Sequence, residues 1–138
     1  MKQFEIIDIS GDVGIRAFGK SIEEAFKNSA IGMYSLITDL DDVKGEKSIS
    51  ISVESNSLEG LLVSWLNELI FHFDAYNFIG KDIVILEMSD RKLKANIKGE
   101  EFDTERHERK LLIKAATYHR LKVEKVRDLW EADIIFDI

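Results

Sequence analysis

The sequence predicts an α+β fold in which two main helices pack on a mostly antiparallel β-sheet. Two segments carry apolar residues at helical spacing, and most other apolar residues lie in short alternating runs separated by turns. The chain has 138 residues, of which 45% are hydrophobic and 33% charged, enough for one compact core and too few for two. We therefore predict a single domain over residues 1–138.

The N-terminal part predicts two strands and then a helix. Residues 4–9 and 12–18 contain β-branched and alternating apolar positions, and the glycines at positions 11 and 14 are expected at a bend or bulge. Ser21 and Glu24 have the spacing of a capping box, so we expect a helix to begin directly after the serine. Its apolar face is expected to consist of Ile22, Ala25, Phe26, Ala30, Met33 and Ile37.

The middle of the chain predicts one strand and its most regular helix. Residues 47–55 alternate strictly, with serines on the outer face. A helix capped by Asn56 and Ser57 follows, and its apolar stripe consists of Leu58, Leu61, Leu62, Trp65, Leu66, Leu69, Ile70 and Phe73. Trp65 is therefore expected in the core, whereas Phe71 and the adjacent histidine are expected on the exposed side.

The second half of the chain predicts mainly strands. Residues 78–80 are expected to close the helix, and a polar loop is expected over residues 99–107. Strands are expected at residues 83–86, 92–99, 111–118, 119–126 and 130–137. In the last strand, alternation separates one face (Trp130, Ala132, Ile134, Phe136) from the other (Glu131, Asp133, Ile135, Asp137).

The composition excludes several classes of protein. The chain has no cysteine, which excludes disulfides, thiolate metal sites and cysteine nucleophiles. No apolar run approaches the roughly 20 residues that span a bilayer, and no basic and then apolar leader opens the chain. We therefore expect a cytoplasmic protein without a membrane anchor.

Charge is distributed unevenly along the chain. The formal net charge of -7 argues against general coating of nucleic acid, but residues 106–127 carry eight lysines and arginines against two glutamates. This basic segment predicts either a recognition surface for an anionic partner or a solvated strand face, and the sequence favours neither. The partner-binding candidates are Arg106, His107, Lys114 and His119.

A catalytic role has little support in the sequence. The histidines at positions 72, 107 and 119 lie outside any nucleophile elbow, metalloprotease helix motif or deaminase pattern. No glycine-rich loop that could cradle a phosphate occurs. The sequence therefore favours a binding protein over an enzyme.

Two aspartates lie at the ends of predicted strands. Asp12 begins the second strand and Asp137 lies near the end of the last one. Asp12 taken alone is better explained as a turn residue whose carboxylate accepts from neighbouring amides. If the two carboxylates meet, a divalent cation would relieve their repulsion, and oxygen-only ligation selects calcium or magnesium. Ile138 could add a carbonyl or terminal carboxylate oxygen, although a strand that simply ends there explains its position as well.

Six segments, taken together and in this order, resemble the archease family over essentially the whole chain. They are GDVGIRAFG at 11–19, EEAF at 23–26, LLVSWLNEL at 61–69, FDTERH at 102–107, IKAATYH at 113–119 and FDI at 136–138. Each segment is weakly specific, and their joint order makes the resemblance strong. Archeases typically have a histidine where this chain has Ile9.

The resemblance implies a metal site, a fold and a partner. Asp12, Asp137 and Ile138 would hold a divalent ion, with calcium the first choice and magnesium the second. The implied fold is α+β, with helices on a mostly antiparallel sheet. The implied role is that of a protein cofactor in tRNA splicing, which promotes guanylylation and multiple turnover of the RNA ligase that joins 3'-phosphate or cyclic-phosphate ends to 5'-hydroxyl ends. GTP and manganese belong to that ligase, and tRNA would be met indirectly.

Two other functions remain open on the sequence alone. A stand-alone metal-dependent phosphoesterase would use the same carboxylates to hold an ion that activates water. A chaperone-like binding module would use Phe71 and the basic segment, and it would need no metal. Direct contact between the basic segment and tRNA would show as salt-sensitive binding.

Overall fold

The computed structural model describes residues 2–138, and this part of the chain contains eight strands and two helices. In chain order they are β1 (Phe4–Ile9), β2 (Asp12–Gly19), α1 (Ile22–Ile37), β3 (Lys47–Glu54), α2 (Leu58–Tyr76), β4 (Phe78–Met88), β5 (Lys92–Glu101), β6 (Ala115–Ala116), β7 (Lys122–Val126) and β8 (Leu129–Asp137). A single 3-10 turn, Leu40–Asp42, follows α1. The predicted α+β class with two main helices is confirmed.

The strands form two antiparallel sheets. The first sheet has the order β1-β2-β8-β6, and β7 also pairs with β8. The second sheet has the order β3-β5-β4. Helix α1 packs on β2 and β4, and α2 packs on β3 and β6, so each helix contacts both sheets. The helices therefore join the two sheets around a common core.

The core consists of the apolar faces that the alternation predicts. Ile15 and Ala17 of β2 are fully buried against the helices, as is Phe26 of α1. Trp65 is also fully buried, as predicted, and its indole Nε1 donates to the carbonyl of Phe26 at 3.0 Å. Phe71 is 52% exposed, which confirms its outward position. Neither α1 nor α2 is long and apolar enough to cross a membrane.

Both predicted helix caps are present. Ser21 Oγ accepts from the amide of Glu24 at 3.2 Å, and the Glu24 carboxylate accepts from the amide of Lys20 at 3.0 Å. In α2, Ser57 Oγ accepts from the amide of Gly60 at 3.0 Å. Because these bonds satisfy free amides of the first turns, both helices begin where the sequence indicates.

The end of α2 differs from the prediction. Residues 78–80, which were expected to close the helix, belong to β4. Asn77 adopts a left-handed backbone (φ 59°), and its amide donates to two carbonyls of the last helical turn. This cap ends the helix within one residue. Strand β4 therefore begins directly after it and is much longer than the strand expected over residues 83–86.

The strand expected over residues 111–118 is wrong except for the two residues of β6. The amides of Lys110 and Leu111 donate to the carbonyls of Ile37 and Leu36, each at 3.0 Å. The start of this segment is therefore hydrogen-bonded to the end of α1. The predicted strand would instead require hydrogen bonds to a neighbouring strand. A local side-chain pattern cannot indicate this, because the backbone partners come from a distant helix.

The strand expected over residues 119–126 is shorter than predicted. It begins at Lys122, because the residues before it form a turn in which Arg120 has a left-handed backbone (φ 54°). Strand β8 agrees with the prediction to within one residue at its start. The two strands form the final hairpin of the first sheet.

Candidate functional site

Asp12 and Asp137 lie at the same end of the first sheet. Asp12 is the first residue of β2 and Asp137 is the last residue of β8. These strands pair antiparallel, with Val13 opposite Phe136. Continuing this register by one residue places Asp12 opposite Asp137 on one face of the sheet. Because facing positions have Cβ atoms about 4.5–5.5 Å apart, this register puts the two side chains within reach of each other.

A hollow of about 370 Å³ lies on the same face of the sheet. Its lining includes Ile135, Arg120 and the ion pair between Arg16 and Asp133. Arg16 donates from Nε at 2.8 Å and from a terminal nitrogen at 2.9 Å to the two carboxylate oxygens. The hydrogen bond to Asp133 raises the pKa of Arg16, so the guanidinium stays charged. The aspartate pair therefore adjoins a depression that combines apolar and charged walls.

Hydrogen bonds from the segment around β6 hold the end of β8 in place. The amide of Lys114 donates to the carbonyl of Asp137 at 2.7 Å. Thr117 donates to the carbonyl of Ile135 from its amide at 3.0 Å and from its hydroxyl at 2.8 Å. The side chain of Asn67 in α2 accepts from and donates to the backbone of β6 at 2.7 and 3.2 Å. The strand end that carries the aspartate is thus tied to a helix.

Two of the four partner-binding candidates flank the aspartates. His119 Nε2 lies 3.3 Å from Asp12 Oδ2, and these side chains are 59% and 37% exposed. Lys114 is exposed, and its backbone bonds to Asp137. The contact between His119 and Asp12 has no signal in the sequence, because it depends on the turn between β6 and β7. The pairing of Arg16 with an aspartate of β8 could have been found, since both lie at alternating positions of adjacent strands.

The other two candidates, Arg106 and His107, lie at the second sheet and contact Glu100 of β5. Arg106 binds both carboxylate oxygens, one of them at 3.0 Å. His107 is buried, its Nδ1 accepts from the amide of Asp103 at 2.9 Å, and its Nε2 lies 3.0 Å from Glu100. Nε2 therefore carries the proton and donates to the carboxylate. The structure thus places His107 inside the fold, away from any exposed strand face.

The contacts around Glu100 favour its charged form. The hydrogen bond from Arg106 is the main cause, and the amide of Lys44 and the ring of His107 add to it against the effect of burial. Together they lower the pKa of Glu100 to about 2. This group of side chains was not predicted as a unit. It connects the loop after β5 to the loop after α1, and its members are already paired with one another.

The aspartate pair is the best candidate for a cation in the described structure. Across residues 2–138, no three histidine, aspartate or glutamate side chains are grouped closely enough to hold a metal ion. The donors that the family resemblance implies are Asp12, Asp137 and a main-chain oxygen of the exposed Ile138. Two carboxylates in facing register beside a main-chain oxygen are the donor types that hard divalent ions prefer, so the donor chemistry fits such an ion.

Comparison with known proteins identifies the family. A sequence model of the archease protein family matches residues 4–138. The chain belongs to the archease family. The archease of Pyrococcus abyssi is 37% identical to this chain over 142 residues, and the match covers 100% of both proteins. The archease of Sulfurisphaera tokodaii is 31% identical over 139 residues, again with 100% of both covered.

Solved structures of related proteins share the archease fold. The solution structure of Methanobacterium thermoautotrophicum protein 1598 has a TM-score of 0.78 and 34% identity, and the match covers 100% of both chains. A crystal structure of a Thermotoga maritima archease, described as a possible chaperone, has a TM-score of 0.66. That protein is 19% identical, with 100% of this chain and 98% of that chain covered, so it supports the fold alone.

Proposed function

We propose that this archease is a metal-binding accessory protein of the tRNA-splicing RNA ligase. In this role it promotes guanylylation of the ligase and its multiple turnover, and it does not itself join RNA. The observation that carries the proposal is the register of β2 and β8, which puts Asp12 and Asp137 at one sheet end with His119 and Lys114 beside them. The chain's membership of the archease family also supports the proposal, because the resemblance to that family implies this role.

The metal proposed for this site is calcium in the first place and magnesium in the second. Asp12 and Asp137 would each provide a carboxylate oxygen, and Ile138 would provide a main-chain oxygen. The bound ion would supply positive charge that can polarise a phosphate oxygen. The chain's own contribution is to hold the two carboxylates in one register, through the hydrogen bonds that fix the end of β8.

The proposed partner surface surrounds this sheet end. Lys114 and His119 are exposed there and could meet acidic or phosphate groups of the partner. Arg106 and His107 support this surface less, because both already pair with Glu100. We propose that the ligase is contacted directly and that tRNA is met only through it.

The arrangement of the histidines supports an activator over a stand-alone phosphoesterase. Each histidine contacts a carboxylate: His72 lies 3.4 Å from Glu68, His107 lies 3.0 Å from Glu100, and His119 lies 3.3 Å from Asp12. A metal-dependent phosphoesterase would need a base that takes a proton from the metal-bound water, and the Nε2 atom of His119 at the aspartate pair already faces Asp12. Turnover of a phosphoester by the isolated chain would favour the phosphoesterase instead.

The test is multiple-turnover ligation of RNA by the ligase with GTP, in the presence of this chain. We expect Asp12→Asn and Asp137→Asn each to abolish most of the stimulation while the fold, measured by circular dichroism, is kept. Asp90→Asn is the matched control, because this residue lies at the turn between β4 and β5 in the other sheet. Full stimulation by either folded site variant would overturn the proposal.

A chaperone-like role is the second candidate, and one observation favours it. Phe71 and Tyr76 are 52% and 65% exposed, and their rings lie edge to face with centroids 5.9 Å apart. An exposed aromatic pair can bind apolar segments of another protein. This role predicts that the chain suppresses aggregation of an unfolded protein equally well with and without a chelator, and that Phe71→Ser removes the effect. Metal-dependent suppression would count against it.

A further inference from the structure

We infer that a groove between α2 and the turn after β6 is a docking site for a segment of the partner protein that carries apolar side chains beside lysine or arginine. This inference deepens the proposed function, because it rests on the binding of a protein partner at the neighbouring sheet end. It adds the place at which the partner is held and the chemistry of the segment that is held there.

The first step of the argument concerns the walls of the groove, which has a volume of about 600 Å³. Val53 of β3 and Val63 of α2 line it and are buried. Phe71 of α2 and Tyr118 of the turn after β6 also line it, and they are 52% and 66% exposed. Aromatic side chains are enriched where proteins bind one another. The groove therefore offers a partner an apolar surface with two accessible aromatic rings.

The second step is the anchoring of the two walls. The side chain of Asn67 in α2 also lines the groove, and it bonds to the amide and the carbonyl of Ala116 at 2.7 and 3.2 Å. Thr117, the residue before Tyr118, donates twice to the carbonyl of Ile135. The turn is thus tied to α2 and to β8 before a partner arrives. A groove formed in advance lowers the cost of ordering on binding.

The third step is the charge of the groove, which selects the chemistry of the partner segment. Among its lining residues in the described structure, the charged side chains are Glu54 and Glu68. Glu54 is exposed, and the side chain of Glu68 is 38% exposed beside His72. Carboxylates around an apolar surface complement lysine or arginine next to apolar side chains. An acidic segment or an RNA backbone would be repelled at the same place.

The fourth step is the size of the partner surface. A specific complex takes roughly 20 residues and about 800 Å² from each partner, and this chain has a surface of 7300 Å². The aspartate pair with Lys114 and His119 is much smaller than that. Tyr118 directly precedes His119, so a partner that covers the sheet end and the groove makes one continuous contact.

The hollow beside the aspartate pair is the competing extension of this contact. Its walls carry charges of both signs, and two of them, Arg16 and Asp133, already pair with each other. Its exposed Ile9 is aliphatic and is 51% exposed. The groove combines two aromatic rings with charge of one sign, so the docking segment is assigned to the groove.

The experiment measures binding of the purified ligase to the full chain by calorimetry at low and at high salt. We expect Tyr118→Ser to raise the Kd by about tenfold, because an aromatic contact is lost. We expect Glu68→Lys to raise it by about tenfold at low salt and by less at high salt, where the new repulsion is screened. Both variants should need correspondingly more chain for half-maximal stimulation of ligation.

Matched controls separate the groove from other exposed residues. Leu86→Ser is the control for the tyrosine, since Leu86 is also 66% exposed and lies in β4 of the other sheet. Asp90→Lys makes the same change of charge as Glu68→Lys at the turn between β4 and β5. Neither control should change the Kd. If Ile9→Ser weakens binding while Tyr118→Ser does not, the partner covers the hollow and the inference is wrong.

The failure of this inference is distinguishable from the failure of the proposed function. If the wild type binds the ligase and the folded variants Tyr118→Ser and Glu68→Lys bind it as tightly, the proposed function stands and the docking role of the groove is refuted. If the wild type does not bind the ligase, the proposed function itself is refuted, and this inference with it. An equal loss of binding in Leu86→Ser and Tyr118→Ser would also overturn the inference.

Discussion

Replacing Glu100 by glutamine should destabilise the protein at neutral pH and have little effect in acid. Glu100 is nearly buried and accepts hydrogen bonds from Arg106, from the amide of Lys44 and from His107. The neutral amide of Glu100→Gln cannot replace a charged acceptor between these donors. The variant therefore removes the charge on which this group of side chains depends.

The magnitude follows from the pKa of Glu100, which falls from the ordinary 4.5 to about 2 in the folded protein. A shift of this size corresponds to about 3 kcal/mol. Because the side chain of Arg106 is 41% exposed, screening by solvent reduces the expected contribution to about 1–2 kcal/mol. The folded pKa lies below the unfolded one, so this stability is fully present above pH 4.5 and is lost as the pH falls towards 2.

The assay is urea unfolding followed by circular dichroism between pH 7 and pH 2. We expect the variant to be less stable than the wild type by about 1–2 kcal/mol at pH 7, and the difference should shrink towards zero near pH 2. Glu101→Gln is the control, since the side chain of Glu101 is 68% exposed and lies 3.9 Å from Lys47. A difference that does not depend on pH, or one as large for the control, would refute the reasoning.

Two further predictions concern hydrogen bonds between elements. Asn67→Ala should lower the free energy of unfolding by about 1–3 kcal/mol and speed amide exchange at Ala116, because the β6 backbone loses its donor and acceptor; unchanged exchange would contradict this. Trp65→Phe should cost about 1–3 kcal/mol in urea unfolding, because the carbonyl of Phe26 loses its indole donor and the smaller ring leaves a void; a variant as stable as the wild type would argue against this role.

The elements that the sequence predicts well are those whose signals are local. Helices α1 and α2 combine helical spacing with a serine cap, and both begin at the predicted residues. The inward face of β2 follows from strict alternation, and its residues Ile15 and Ala17 are fully buried. In these segments the spacing of the apolar side chains along the chain is enough to indicate the helix or strand that forms and the face that is buried.

The elements that were missed depend on distant partners. The segment before β6 bonds to the end of α1, so its apolar residues do not form the expected strand. Asn77 ends α2 because its backbone is left-handed. Asparagine tolerates this conformation but does not require it, so the sequence does not fix where the helix ends. The separation into two sheets depends on which strands the helices bring together, and no single segment carries that information.

The candidate site could be predicted in part. The facing positions of Asp12 and Asp137 follow once the two strands are known to pair, and the family resemblance implied that the two residues share a site. The contact of His119 with Asp12 depends on a turn that was expected to be a strand. The burial of His107 was not visible either, because Glu100 lies in another element and pairs with it only in the folded protein.

If the carboxylate pair serves the ligase, it should control the rate at which GTP guanylylates the ligase after one round of ligation. We expect the wild-type chain and Asp90→Asn to accelerate this step. We expect a folded double variant, Asp12→Asn with Asp137→Asn, to leave the rate at that of the ligase alone. Acceleration by the double variant equal to that of the wild type would show that the carboxylate pair is not needed.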